Sequence, residues 1–260
     1  MGRVITIANQ KGGVGKTTTA INLGASLAIA ERKTLVIDFD PQGNATSGLG
    51  LRKDGNTPTV YDCLVTAQPL RAAVRDEVHF SCLSVVSASR DLTGAEVELI
   101  DRADRQKILS EKVNVLREDY DYILIDSPPS LGLLTLNALA AADAVLIPIQ
   151  CEFYALEGLS QLLNTVRLVQ RAINPGLEIE GVLLTMYDSR LNLAKQVAAE
   201  AREYFGGKVF DTMIPRNIRL AEAPSFGEPI ASYDLLSSGA RGYLSLAREL
   251  LDRHREEKIA

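Results

Sequence analysis

A glycine-rich loop with two lysines lies near the amino terminus. It runs through Asn9-Gln10-Lys11-Gly12-Gly13-Val14-Gly15-Lys16-Thr17-Thr18, between an apolar stretch and a helix-like pattern. Glycines let the main chain approach phosphate oxygens, and a helix N-terminus points free N–H groups at an anion. Lys16 can reach the β and γ oxygens, and the Thr17 hydroxyl can ligate Mg²⁺. The loop therefore predicts a nucleoside triphosphate site. Its expected phosphate contacts are Gly12, Gly13, Val14, Gly15, Lys16, Thr17 and Thr18.

Three aspartates follow apolar stretches of strand length. Asp38 and Asp40 come after Thr34–Ile37, and Asp126 comes after Tyr122–Ile125. A carboxylate at the end of a buried strand is costly unless a cation or a donor compensates it. Bound Mg²⁺ would compensate Asp126, which stands at the Walker B position. Asp38 and Asp40 taken singly also suit a turn or a helix cap, but the pair beside a phosphate loop favours function.

The elements that must position these residues are strands alternating with helices. Continuously apolar strands in such an order predict a mainly parallel, doubly wound α/β sheet with helices on both faces. Its ligands should lie beyond the carboxyl ends of the strands. The expected strands are Val4–Ala8, Thr34–Ile37, Phe80–Val86, Tyr122–Ile125, Ala144–Ile149, Ile179–Thr185 and Val209–Ile214. The expected helices span about 17–30, 104–118, 131–142, 154–174, 190–205 and 239–255, with an irregular connection at 43–60.

Size and composition favour one cytoplasmic domain. The chain has 260 residues, 46% of them hydrophobic, and we expect a single domain over residues 1–260 with no secretory signal and no membrane span. A net charge of −5 argues against a uniformly basic nucleic-acid binder but permits a local basic patch. Cys63, Cys82 and Cys151 lack metal-like spacing and are expected to pack as small apolar groups in a reducing compartment.

The loop departs from the ordinary phosphate-binding motif in one informative way. The glycine expected five residues before Gly15 is Gln10, and Lys11 adds a second lysine. This variant resembles the deviant Walker A loop of the ParA/MinD family of ATPases. Further blocks resemble its chromosomal ParA, or Soj, branch across almost the whole chain. They are Asp40-Pro41-Gln42-Gly43-Asn44-Ala45-Thr46, Asp126-Ser127-Pro128-Pro129-Ser130-Leu131-Gly132, Gln150-Cys151-Glu152-Phe153-Tyr154-Ala155-Leu156-Glu157-Gly158 and Ile214-Pro215-Arg216-Asn217.

The resemblance implies roles for individual residues. Lys11 would reach the nucleotide of a facing subunit, so that ATP is sandwiched in a homodimer, and Asp40 would orient the attacking water. Asp38 would support the Mg²⁺ shell together with Thr17 and Asp126. Pro215 and Asn217 match positions that flank adenine, although taken alone they equally suit a simple turn.

The resemblance also implies partners. A chromosomal ParA binds double-stranded DNA without sequence preference, associates with the nucleoid, and is stimulated to hydrolyse ATP by a ParB partner. Arg190 and Arg219 match the basic positions that contact DNA. Scattered arginines are more often a solvated face, so DNA binding is the function least visible in the residues themselves.

Three rival functions must be weighed against this one. A MinD-like membrane cycle, the main alternative, needs a bulky apolar anchor at the carboxyl terminus, and the segment Asp252–Ala260 is too polar. A nitrogenase-type iron protein needs cluster cysteines, where Ser127 and Ser130 stand here. A ligase of the dethiobiotin synthetase type would not explain Lys11 with the partition-like blocks.

Overall fold

The computed structural model describes residues 1–52, 57–152 and 157–257. Seven strands form one sheet in the order β3-β4-β2-β5-β1-β6-β7, and every neighbouring pair is parallel except β3 and β4. The sheet confirms the predicted doubly wound α/β class. The strands are β1 (Arg3–Ile7), β2 (Thr34–Asp38), β3 (Val74–Arg75), β4 (Leu83–Val86), β5 (Tyr122–Asp126), β6 (Ala144–Gln150) and β7 (Glu178–Thr185).

Helices cover the sheet on both faces. One hydrophobic cluster joins the strands to α3 through α8, and a second joins them to α1, α2 and α9 through α11. Gly24 allows α1 to pack closely on the sheet, because a Cβ there would lie 2.6 Å from Val36 Cγ2. The helices are α1 (Lys16–Ile29), α2 (Asn44–Gly48), α3 (Val60–Val65), α4 (Leu92–Glu98), α5 (Ile108–Asn114), α6 (Leu133–Ala141), α7 (Glu157–Ala172), α8 (Asn192–Phe205), α9 (Ile218–Glu222), α10 (Ile230–Tyr233) and α11 (Ser238–Glu257).

The register brings the acidic strand ends together. In β2 and β5 every residue is buried, as their apolar sequences predict. Asp38 pairs with Asp126 across these two strands, and Ile7 at the end of β1 pairs with Asp126 on the other side. The glycine loop that follows β1 therefore opens beside both aspartates, at the carboxyl edge of the sheet.

One predicted strand is wrong. Val209 makes a single bridge to Val182 of β7, and no continuous ladder follows through Ile214. Phe210 N–H donates to Val182 O and Ile214 N–H donates to Leu184 O, both at 2.9 Å. Between them, the N–H groups of Asp211 and Thr212 donate to the Glu249 carboxylate of α11, each at 2.8 Å. Glu249 thus takes the Thr212 amide, which a continuous ladder would direct at β7 between the bonds from Phe210 and Ile214.

Other differences concern bounds. The strand expected from Phe80 begins at Leu83, because Phe80 lies in a turn that Leu83 N–H closes onto Phe80 O. The helix expected over 104–118 is confined to α5, and the irregular connection at 43–60 contains α2. Residues 154–156 of the expected helix 154–174 lie outside the described residues. Across the described ranges, no helix combines the length and apolar character needed to cross a membrane.

Candidate active site

The glycine loop connects β1 to α1 with two residues in left-handed backbone conformation. Gly13 has φ +75° and Gly15 has φ +90°, a region that L side chains rarely adopt. Gly15 is the N-cap of α1, so the first turn of the helix begins at Lys16. The amides of this turn lack helical partners and form an anion site at the helix N-terminus. Thr17 and Thr18, half-buried, lie in the same turn.

The two lysines occupy different environments. Lys16 is buried, and its Nζ donates to Lys11 O at 3.1 Å, within the loop. Burial lowers its pKa, while the charges of Asp126 and Asp40 act in the opposite direction. The Lys11 side chain keeps 36% of its surface exposed, and its Nζ lies 3.9 Å from Glu152 Oε2. Lys16 therefore belongs to the loop's own site, whereas Lys11 points to the periphery.

Two side chains that the sequence analysis did not single out support the loop. Asn9 accepts from Lys11 N–H at 3.0 Å and donates to Pro148 O at 2.8 Å. Thr185, at the end of β7, donates its hydroxyl proton to Val14 O at 2.8 Å. Both residues lie next to predicted strand ends, and that position is the one signal that could have revealed them.

Asp38 is held by the protein itself. Its Oδ2 accepts both the N–H and the hydroxyl of Thr46 at 2.7 Å, and its Oδ1 accepts from Asp40 N–H at 3.3 Å. Burial nevertheless outweighs these donors and raises the pKa of Asp38 to about 6. The sequence predicted Asp38 as a support of the metal shell, and the structure adds Thr46 as its partner.

Asp126 has no such partners. It is completely buried, and neither carboxylate oxygen has a hydrogen bond of normal geometry among the described residues, although the Thr17 hydroxyl and the Lys16 charge both act to lower its pKa. Burial, followed by the charge of Asp38, raises the pKa of Asp126 well above its ordinary value. A buried carboxylate without a donor is compensated by a cation. Asp126 thus fits a metal ligand better than Asp38 does.

The wider donor set fits Mg²⁺. No group of three His, Cys, Asp or Glu side chains suited to a metal is found in the described part of the chain. Mg²⁺ is usually held by one or two carboxylates with waters and substrate phosphates, so a dedicated cage is not needed. Asp126 and Thr17 could supply the protein ligands of such an ion.

Asp40 lies at the start of the connection to α2. It is buried, its Oδ1 accepts from Gln42 N–H at 2.9 Å, and its backbone carbonyl accepts from Gly43 N–H at 2.9 Å. The charges of Asp40 and Asp126 both act to raise the pKa of Lys16. The three side chains therefore interact at this edge of the sheet, and their roles in catalysis stay predictions.

The predicted adenine segment lies at the same edge of the sheet. Pro215 forms a bridge with Tyr187, just beyond the end of β7. Asn217 caps α9, where its side chain accepts from Leu220 N–H at 3.2 Å, and it donates to Ser238 Oγ at 2.7 Å. The roles of Pro215 and Asn217 at adenine stay predictions.

The two predicted DNA contacts are exposed arginines that pair with acids. The Arg190 side chain is 86% exposed and donates to the Asp188 carboxylate through Nε to Oδ1 at 2.9 Å and through Nη2 to Oδ2 at 2.6 Å. These hydrogen bonds lower the pKa of Asp188 to about 2. Arg219 lies 2.9 Å from Glu222 and 3.6 Å from Asp234. Any DNA phosphate would have to compete with these carboxylates.

The cysteines do not form a cluster site. Cys63 and Cys151 are buried in the hydrophobic core, where burial raises the pKa of each thiol to about 11, and Cys82 is half-buried. All three are free thiols. Ser127, at a position where an iron protein would need a cysteine, donates its hydroxyl to Ile7 O at 2.8 Å.

A parallel sheet that carries a phosphate-binding loop after β1 and aspartates at the ends of two neighbouring strands defines a P-loop ATPase. The second lysine in the loop assigns it to the deviant Walker A type.

Comparison with known proteins agrees with this class. The profile of an AAA domain family matches residues 2–179. The chain is 58% identical to the chromosome partitioning protein ParA of Myxococcus xanthus over 97% of its length and 89% of that protein. It is 55% identical to the sporulation initiation inhibitor protein Soj of Bacillus subtilis, over 96% of this chain and 98% of Soj. The chain belongs to the ParA/Soj family of chromosome-partitioning ATPases.

Solved structures extend the comparison. A cobyrinic acid a,c-diamide synthase from Mycobacterium smegmatis, crystallised with ADP and magnesium, superimposes with a TM-score of 0.85 at 37% identity, over 98% of this chain and 96% of that one. The cell division ATPase MinD of Pyrococcus furiosus superimposes with a TM-score of 0.78 at 29% identity, over the full length of both chains. Proteins of different function thus share this fold.

Proposed function

We propose that this partitioning ATPase binds ATP and Mg²⁺ at the glycine loop and dimerises with the nucleotides between the subunits. The dimer binds double-stranded DNA without sequence preference, and a ParB-like partner stimulates hydrolysis. The protein then works in the cytoplasm, on the nucleoid. The observation that carries the proposal is the difference between the two lysines of one loop.

In this proposal, Lys16 and Lys11 contact the phosphates of two different nucleotides. Lys16 is buried beside Asp40 and Asp126 and serves the phosphates of its own subunit. The Lys11 Nζ lies 3.9 Å from Glu152 Oε2, a long and solvent-accessible contact that costs little to break. A flexible ammonium group at the periphery can reach phosphates presented by a second subunit.

The metal completes the site. Bound Mg²⁺ neutralises charge on the phosphates during hydrolysis. Asp126 and Thr17 would hold it, with Asp38 in the outer shell, and Asp40 would orient the attacking water. This support is consistent with the Mycobacterium structure that contains magnesium and ADP.

DNA binding depends on the exposed arginines. Arg190 and Arg219 appear twice in a dimer, and affinity rises steeply with the number of phosphates neutralised. ATP could therefore control DNA binding through dimerisation. Both arginines are already paired with carboxylates in one chain, so phosphates must outcompete Asp188 and Glu222.

The test compares Lys11→Ala with Lys16→Ala by sedimentation velocity and nucleotide binding. Lys16→Ala should lose ATP affinity and, with it, the dimer. Lys11→Ala should bind ATP as one chain but stay monomeric, or form a dimer that does not hydrolyse. Normal dimers and normal turnover in Lys11→Ala would contradict the sandwich.

A MinD-like membrane cycle is the second candidate, because MinD shares the fold. In this chain the apolar residues of α11 face inward. Tyr243, Leu246, Ala247 and Leu250 are all buried in the core. They are unavailable as a membrane anchor while the helix is packed. Flotation with anionic vesicles in ATP tests the alternative, and a floating fraction that depends on ATP would favour it.

A further inference from the structure

The Asp38 carboxylate, near the phosphate loop, is held by Thr46, a residue for which the sequence predicted no role in the site. Thr46 is buried in α2, eight positions after Asp38, and its N–H and hydroxyl both donate to Asp38 Oδ2 at 2.7 Å. The same hydroxyl oxygen accepts from Ala88 N–H at 2.9 Å. Thr46 therefore touches β2 on one side and the segment after β4 on the other.

The direction of these bonds is fixed by chemistry. The Ala88 amide can only donate, so the Thr46 hydroxyl must accept from it. The single hydroxyl proton is then directed at the Asp38 carboxylate, which accepts hydrogen bonds when it is ionised. The result is a chain of two hydrogen bonds, in which Ala88 N–H donates to the Thr46 hydroxyl and that hydroxyl donates to the Asp38 carboxylate.

Asp38 in turn holds the backbone of Asp40. Asp38 Oδ1 accepts from Asp40 N–H at 3.3 Å, which ties the backbone of Asp40 to the end of β2. Two of the three donors to Asp38 belong to Thr46, so loss of the hydroxyl leaves a buried carboxylate with fewer donors. Rotation of Asp38 would move the backbone from which Asp40 projects.

We infer that Thr46 is a positioning residue for ATP hydrolysis, acting through Asp38 on Asp40 and coupling both to the segment at Ala88. It touches neither nucleotide nor metal in this assignment. Its loss should slow the chemical step and leave nucleotide affinity intact, since Lys16 and the loop amides are unaffected. The inference rests on the proposed role of Asp40 in orienting water.

The experiment measures kcat and nucleotide Kd for the full chain with Mg²⁺ and duplex DNA. Thr46→Val keeps the shape but removes the hydroxyl, and its kcat should fall about tenfold or more with Kd changed less than about twofold. Thr46→Ser keeps the hydroxyl and should restore kcat to within about twofold of wild type. Thr46→Ala serves as a second variant without the hydroxyl.

Thr34→Val is the matched control. Thr34 is buried at the start of β2, the strand that ends at Asp38, and its hydroxyl donates to Arg32 O at 2.9 Å. Its loss should lower the melting temperature and leave kcat unchanged.

Several outcomes would overturn the inference. A wild-type kcat in folded Thr46→Val or Thr46→Ala would do so, as would equal losses in Thr46→Ser and Thr46→Val. Failure of both Thr46→Val and Thr46→Ala to fold would assign Thr46 to the fold alone. Asp40→Ala, measured in parallel, separates the two claims. If Asp40→Ala is inactive while Thr46→Val is fully active, only the Thr46 inference fails, and wild-type turnover in Asp40→Ala removes the proposed role of Asp40 itself.

Discussion

Asp38 and Asp126 pair on neighbouring strands, yet their surroundings differ sharply. Asp38 takes three hydrogen bonds from the protein, and Asp126 has none of normal geometry among the described residues. The position of Asp126 at the end of an apolar strand predicted a compensating Mg²⁺, and the family resemblance implied that Asp38 supports the same metal shell. The sequence could not predict the difference, since the Thr46 donors reach Asp38 only after α2 has folded back over the strand end.

Asp40→Ala should separate ATP binding from hydrolysis. Lys16, Thr17 and Asp126 remain in this variant, so ATP still binds, but no carboxylate orients the water. The ATP-bound dimer should then accumulate on DNA. Turnover assays and size-exclusion chromatography with ATP provide the measurement, and Asp62→Ala is a control because Asp62 belongs to the capping box of α3. A strictly monomeric Asp40→Ala protein with intact ATP binding would count against the assignment.

At the scale of elements, the loop between β1 and α1 leaves Gly12 open to the outside. A Cβ at Gly12 would meet no atom of the described chain within 4 Å, and its φ lies outside the left-handed region. Gly12→Val should therefore fold normally and bind ATP. A second subunit facing the loop would clash with the branched side chain, so this variant should remain monomeric in ATP.

Gly207→Val is the matched control for this prediction. A Cβ added at Gly207 would likewise meet no atom of the described chain within 4 Å, and the φ of Gly207 lies outside the left-handed region. Gly207 differs in its place, the 3-10 turn after α8. It should dimerise normally. Sedimentation velocity with a non-hydrolysable ATP analogue distinguishes the two, and a normal dimer from Gly12→Val would mean that the loops do not face each other.

The last helix, α11, docks on the sheet through a buried polar chain. His254 contacts Tyr122 OH through Nδ1 and Glu180 Oε1 through Nε2, each at 2.9 Å, and Arg3 Nε donates to Glu180 Oε2 at 3.0 Å. Burial acts to raise the pKa of Glu180, but hydrogen bonds and charges from His254 and Arg3 outweigh it and hold this pKa below its ordinary value. The ionised carboxylate thus stabilises the folded state.

Glu180→Gln should therefore remove a pH-dependent part of stability. Because the folded pKa is depressed, the contribution is present above the ordinary Glu value of 4.5 and is lost as pH falls through the folded value. The gap in melting temperature between wild type and variant should be widest near neutral pH and shrink below about pH 4. Circular dichroism melts measure it, with Glu178→Gln, exposed on the same strand, as control. A gap that does not vary with pH would contradict the role of Glu180.

Local signals predicted most of the fold, and long-range contacts account for the misses. The apolar strands and the loop glycines are contiguous in sequence, so β1, β2, β5 and β6 were predicted closely. Val209–Ile214 has apolar residues at both ends, but the N–H groups of Asp211 and Thr212 donate to Glu249, almost forty residues away, and no ladder forms. Short helices such as α2 were missed because tertiary contacts stabilise them more than their own turns do.

At the scale of the whole molecule, the proposed DNA face consists of arginines whose charges are partly neutralised by neighbouring acids. Arg219→Ala removes about two phosphate contacts per dimer and should flatten the log–log salt dependence of binding by roughly two units. Arg190→Ala should act similarly. Neither effect should depend on DNA sequence, because a phosphate contact carries no base information.

Arg102→Ala is the control for the arginine variants. Arg102 grips Asp104 at 2.9 and 2.6 Å, the same distances as Arg190 and Asp188, yet it lies between α4 and α5. Its removal should leave the salt slope unchanged. Salt titrations on two unrelated duplexes in a non-hydrolysable ATP analogue measure the slopes, and an unchanged slope in Arg219→Ala would place the DNA face elsewhere.

The most direct test of the account is DNA binding by the wild-type protein without nucleotide, with ADP, with ATP and with a non-hydrolysable ATP analogue. The claim is that ATP brings two subunits together, so that the DNA-contacting arginines of both subunits form one binding face. We expect affinity in the analogue to exceed that in ADP by at least about tenfold, with a steeper salt slope and no preference between duplexes. Equal affinity and equal slope in all four states would contradict it.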